Sequence, residues 1–161
     1  MTREIAPYPS PAGGRPMDIE HELVVDAPVE RVFAEFATAE GLASWWTLTS
    51  SIEPRLGGRT TFDFGAPYHW AGVIRAFDPP FAIEWEMTET DPMPDWRGTR
   101  VGALLTREGE RTRVHFHHRG WASATQHARV SSFCWAMYLR LLARHCVTGE
   151  VVAYERRNEL V

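Results

Sequence analysis

The chain has 161 residues, a formal net charge of −4 at pH 7 and a pI near 6.0, with 44% hydrophobic and 24% charged side chains. That length suits one domain with a substantial core. No basic block offers a nucleic-acid footprint, and no apolar run nears the ~20 residues that membrane insertion requires.

Residues 1–17 are rich in Pro and Gly and carry no period, so they read as a tail, with Tyr8 its only large aromatic side chain. They also lack the charged-then-apolar order of a secretory signal, which makes the cytoplasm the expected location. The domain is expected over residues 18–148. A second tail, 149–161, is expected to pack back on it.

From Ile19 the run IEHELVVD alternates, with Ile19, His21, Leu23 and Val25 on one face, as in a half-buried strand. Asp26-Ala27-Pro28-Val29-Glu30 then opens a helix with a capping acid, an early proline and an acidic first turn. Val32, Phe33 and Phe36 form its apolar side. Thr38-Ala39-Glu40 caps a second, short helix that ends near Trp45-Trp46.

Strands follow. Gly57-Gly58 makes a turn before the alternating Thr60, Phe62 and Phe64; 68–77 is next, stopped by Asp78-Pro79-Pro80. In 81–90, Ile83, Trp85 and Met87 face away from Glu84 and Glu86, and Glu89 takes the inward parity at a cavity mouth. The proline-rich loop 91–98, with Met93 and Trp96, is a candidate lid. Strands 100–106 and 112–120 complete the set.

The last long element, 125–147, is a helix opened by a capping box at Ser123-Ala124-Thr125-Gln126 and stopped by Gly149. Met137, Val130, Leu141, Cys134, His145, Tyr138, Ser131, Leu142, Trp135, Cys146 and Leu139 share an arc of about 200°. Arg129, Arg140 and Arg144 occupy the remainder. A helix buried that broadly needs a curled sheet to wrap it. Near the middle of the arc, Ser131, Tyr138 and His145 recur every seven residues as polar groups among apolar ones. They either find partners in a filled core or line a cavity. Cys134 and Cys146 lie twelve positions apart on this helix, about 18 Å, so they cannot form a disulfide with each other.

The stretches APVERVFAEFATAEGLASWW, LGGRTTFDF, GVIRAFDPPFAIEWE and TRVHFHHRGW, ahead of a long helix, resemble the START-like, SRPBCC helix-grip superfamily. Within it they are similar to the single-domain family named after activators of the heat-shock-protein-90 ATPase. The resemblance spans roughly residues 19–147. It is carried by Ala27-Pro28, Val32-Phe33, Trp45-Trp46, Gly57-Gly58, Gly72, Asp78-Pro79-Pro80, Trp85, Thr112 and His118-x-Gly120. It implies an α+β helix-grip fold, a curled antiparallel sheet of about six to seven strands around the C-terminal helix, with a deep cavity between them.

The expected occupant is a hydrophobic small molecule. Its expected lining is Trp46, Trp70, Trp85, Met87, Phe116 and His118 from the sheet side, and Ser131, Cys134, Met137, Tyr138, Leu141 and His145 from the helix. Two alternatives stand beside binding: a cyclase, dehydratase or hydrolase using His118, Tyr138 and His145, and a module assisting a chaperone ATPase. A homodimer is the expected assembly. His115 and His117 share the outer face of their strand, but no third ligand accompanies them, so neither a metal nor a cofactor is expected and both read as solvated. No nucleophile elbow, P-loop or dinucleotide fingerprint is present.

Overall fold

The computed structural model describes residues 16–160; Tyr8 and the rest of 1–15 lie outside the described residues. Seven antiparallel strands form one sheet, in the order β1-β7-β6-β5-β4-β3-β2. They are β1 (Met17–Val25), β2 (Thr49–Ile52), β3 (Arg59–Asp63), β4 (His69–Asp78), β5 (Ala82–Glu89), β6 (Arg100–Glu108) and β7 (Arg111–Trp121). The edge strands β1 and β2 do not pair with each other, so the curled sheet stays open. Helices α1 (Val29–Ala37) and α2 (Ala39–Trp45) follow β1, and α3 (Gln126–Thr148) closes the concave face.

Period-two alternation turns Val114, Phe116 and His118 of β7 inward, where Phe116 and His118 meet Trp135 of α3. The four-residue β2, TSSI, has no apolar alternation to announce it, and the sequence reading omits it. It exists because it pairs with β3, from Thr49 opposite Asp63 to Ile52 opposite Thr60.

Two caps differ from expectation. The N-cap of α1 is Pro28, with no side-chain hydrogen bond, so Asp26 is not the cap. The N-cap of α3 is Thr125, whose hydroxyl accepts from the Ala128 N–H, so the cap lies two residues beyond Ser123. Thr38 caps α2 as expected by accepting from the Gly41 N–H. Gly149, at φ 74°, ends α3 in the left-handed conformation that glycine adopts without a Cβ clash.

The burial of α3 is rotated from the expected arc. Ser131, Trp135, Leu139, Leu141 and Leu142 of the arc are buried together with Ala128, whereas Val130 at the arc's edge is 51% exposed and Phe133, off the arc, is 63% exposed. Period alone does not place that boundary, which depends on the elements packed over the helix.

The C-terminal segment packs back on the body. Within its 3₁₀ stretch Tyr154–Leu160, the buried Arg157 donates to the carbonyls of Ala43 (2.7 Å), Thr47 (3.2 Å) and Val152 (3.1 Å). Ala43 lies in the last turn of α2 and Thr47 just beyond its C-cap, where a cation suits the orphan acceptor and the helix dipole.

Candidate functional site

A cavity of about 430 Å³ opens between the N-terminal half of α3 and the sheet. Five aromatic rings that line it form a closed circuit. Centroid distances run Trp46–Phe64 5.8 Å, Phe64–Trp70 5.2 Å, Trp70–Trp96 4.8 Å, Trp96–Trp135 5.8 Å and Trp135–Trp46 4.8 Å. Each ring sits within the range at which aromatic pairs attract, so the circuit is a rigid wall of ring faces and edges.

Separate elements bring these rings together. Trp46 ends α2, Phe64 follows β3 and Trp70 belongs to β4. Trp96 comes from the single 3₁₀ turn Pro94–Trp96, and Trp135 is the buried ring of α3. Hydrogen bonds shape the 90–98 loop: Thr90 Oγ1 donates to the Met93 carbonyl at 2.8 Å, and Trp70 Nε1 to the Asp91 carbonyl at 3.0 Å.

From α3, His127, Ser131, Cys134 and Tyr138 also line the cavity. Their spacing, i, i+4, i+7 and i+11, makes one stripe down the helix. The Ser131 and Tyr138 hydroxyls and the Cys134 thiol make no hydrogen bond among the described residues. Burial pushes the Tyr138 phenol up to about 12, helped by Tyr154 and Cys134, and burial raises the Cys134 thiol too. Both keep their protons at neutral pH and act as donors, not as a base or nucleophile.

Of the twelve expected lining residues, five surround this cavity: Trp46, Trp70, Ser131, Cys134 and Tyr138. The other seven lie elsewhere. Trp85, Met87 and Phe116 are fully buried, and the Trp85 indole N–H is spent on Thr60 Oγ1 at 2.9 Å. Leu141 is buried and Met137 half-buried, both outside the lining.

His118 is fully buried and does not meet Tyr138 or His145. Its Nδ1 accepts from Trp135 Nε1 at 3.1 Å, and its Nε2 donates to Thr99 Oγ1 at 2.8 Å. Thr99 Oγ1 in turn donates to the Trp96 carbonyl at 2.6 Å. This chain fixes the tautomer and holds two walls of the aromatic circuit in register. Burial, with His117 and His127 nearby, drives the His118 pKa down to about 3, so the ring is neutral.

His145, one more heptad along, faces α1. Its Nδ1 lies 2.8 Å from Oε1 of the fully buried Glu35, which also binds Arg31, while Ser44 Oγ lies 2.6 Å from Oε2. The proposed trio of His118, Tyr138 and His145 is therefore not assembled.

Two expectations from strand parity also change, His117 outward and Glu89 inward. His117 is buried, its Nε2 bonded to Glu84 at 2.9 Å, because the neighbouring β6 residue is Gly102 and leaves room for it. Thr88 is an extra residue in β5 between the pairs Met87–Gly72 and Glu89–Ala71, and this bulge breaks the alternation. Glu89 is thereby turned out to pair with Arg59 at 2.8 Å and is absent from the cavity mouth. No group of three or more potential metal ligands occurs among the described residues.

The lining residues outside the expected set include Phe64, Tyr68, His127, Trp135 and Tyr154. His127 was legible in principle, since it extends the Ser131–Tyr138 stripe toward the N-terminus. Tyr154 comes from the tail expected to pack back on the domain, but nothing local indicated that it reaches the cavity. Met93 and Trp96 of the candidate lid do face the cavity.

A sequence profile described as Activator of Hsp90 ATPase homolog 1-like protein matches residues 26–146. No curated protein matches. The solution structure of the Aha1 dimer from Colwellia psychrerythraea is similar at 23% identity and a TM-score of 0.72, covering 83% of this chain and 98% of that one. CalU16 from Micromonospora echinospora is 20% identical with a TM-score of 0.67, covering 92% and 91%. DynU16, a putative protein in the dynemicin biosynthetic locus, is 20% identical with a TM-score of 0.69, covering 83% of this chain and 48% of that one. At these identities the likeness shows the fold.

Proposed function

The chain belongs to the Activator of Hsp90 ATPase homolog 1-like family, and from that premise and the chemistry of its cavity we propose that it binds a planar, largely apolar small molecule. The observation that carries this is the closed aromatic circuit around about 430 Å³, faced by unspent hydroxyl and thiol groups on α3. Apolar walls supply the affinity, and a few convergent polar groups set the orientation. The volume sits inside the usual ~300–1,000 Å³ range for such sites. A core built for stability alone would have spent those polar groups on partners.

The test is native mass spectrometry of the freshly purified protein, then titration with naphthalene-class probes in wild type and Cys134→Trp. The reading expects 1:1 binding in wild type, lost when the new indole fills the cavity while the circular dichroism spectrum is retained. Undiminished binding in the variant contradicts it.

Self-association is a second reading, and a specific surface favours it. Val130 and Phe133 expose large apolar side chains one turn apart on α3, beside the cavity mouth. Sedimentation should show a dimer that Phe133→Glu converts to monomer; a wild-type monomer at high concentration removes this reading.

A further inference from the structure

We propose that Asp95 and His127 form a hydrogen-bond acceptor site on the cavity wall that selects planar aromatic ligands bearing a phenolic hydroxyl. The inference deepens the binding reading above and rests on it. His127 Nδ1 lies 2.9 Å from Asp95 Oδ2. A carboxylate only accepts, so Nδ1 is the donor, and in the neutral tautomer that this contact selects the lone pair lies on Nε2. That nitrogen has no hydrogen-bond partner among the described residues, and the residue lines the cavity.

The ring is also held in place. Its centroid lies 6.5 Å from Trp96 and 5.6 Å from Trp121, the latter edge-on at 89°. Asp95 reaches it from the 3₁₀ turn that also delivers Trp96. The same loop thus supplies a wall of the cavity and orients the acceptor beside it.

The rest of the stripe has the opposite polarity. Ser131, Cys134 and Tyr138 each bring a proton to the wall, and burial keeps the thiol and the phenol protonated. In that tautomer His127 Nε2 is the stripe's acceptor, at its N-terminal end. From His127 to Tyr138 the stripe rises about 16 Å. The matching ligand is a flat aromatic framework with a hydroxyl toward His127 and a carbonyl-type oxygen toward the donors.

Two near-isosteric probes isolate the acceptor: 2-naphthol, which can donate, and 2-methoxynaphthalene, which cannot. Titrations would follow tryptophan fluorescence in wild type and His127→Phe. One hydrogen bond predicts that wild type binds 2-naphthol about tenfold tighter than the ether. In His127→Phe that ratio should fall to within about twofold, with the ether's affinity nearly unchanged, because its contacts are with the aromatic circuit. Equal affinities in wild type overturn the acceptor site and leave the cavity reading standing. A ratio that survives in His127→Phe also overturns it. If neither probe binds, the cavity reading fails and this inference falls with it.

Discussion

At the scale of single residues, His118 shows how a candidate catalytic group becomes a positioning one. Alternation along β7 correctly turned it inward, but its partners come from α3 and from the loop before β6, which no local pattern reveals. Its pKa, depressed to about 3, makes it a sensor of acid unfolding. The folded state holds the ring neutral, while the unfolded chain protonates it near 6.5. Its contribution is therefore complete above about pH 6.5 and declines as pH falls toward 3, by several kcal/mol in all. Unfolding free energies across that window should fall more steeply for wild type than for His118→Gln. Parallel profiles would mean that the ring is not held neutral.

The same scale separates what was legible in the stripe from what was not. Ser131 and Tyr138 stood out because polar residues recurred at heptad spacing among apolar ones. Extending that spacing forward led to His145, whereas a single four-residue step back from Ser131 leads to His127. Only tertiary packing distinguishes the two directions. Tyr138→Phe, which deletes one donor and little volume, should weaken binding of an oxygen-bearing aromatic probe about three- to tenfold without moving the melting midpoint by more than about 2 °C. Calorimetric titration and a thermal scan read the two effects separately.

Among the elements, α3 divides into two halves with different work. Its N-terminal half walls the cavity, and its C-terminal half is fastened to α1 and α2 through Glu35, Arg31, His145 and Ser44. Glu35 carries no exposed area, whereas 37% of the Arg31 side chain is exposed. Removing the buried carboxylate leaves several donors unpaired, so Glu35→Ala should cost about 3 kcal/mol or more in a denaturant titration. Arg31→Ala should cost about 1 kcal/mol, because its charge is partly solvated. Hydrogen exchange in Glu35→Ala should rise chiefly in residues 139–148. Equal costs for the two variants would contradict the clamp.

Elements were easiest to read where a period ran through them, as in β1, β4 to β7 and α3. They were hardest where pairing alone made them, as in β2, or where an inserted residue broke the alternation, as at Thr88. The loop before α3 held two plausible caps, and Thr125 won because its hydroxyl reaches the Ala128 N–H at 3.1 Å.

For the molecule as a whole, the helix-grip fold followed from element order and the resemblance, because a broadly buried helix needs a curled sheet. The exact cavity did not follow. Met93, Trp96, Tyr68 and Tyr154 of its wall come from places without periodicity: the 91–98 loop, the turn before β4 and the C-terminal segment. Arg157 shows how distant parts cooperate. It binds the carbonyls ending α2 and lies 5.4 Å from the Tyr154 ring, so it holds that ring against the cavity while lining none of it. Arg157→Ala should therefore weaken probe binding several-fold and raise hydrogen exchange in residues 150–158. Unchanged affinity would show that the C-terminal segment is no part of the site.

The seven tryptophans offer the most direct measurement of the central claim. Four of them, Trp46, Trp70, Trp96 and Trp135, belong to the aromatic circuit, whereas Trp45, Trp85 and Trp121 lie outside the lining. Assigned indole N–H resonances should be followed by NMR as an aromatic probe is titrated in. The account predicts that the four circuit signals shift together to a 1:1 endpoint, with much smaller changes at Trp85 and Trp121. Saturable shifts centred on Trp85 or Trp121, or no shift among the four at full occupancy, would contradict it.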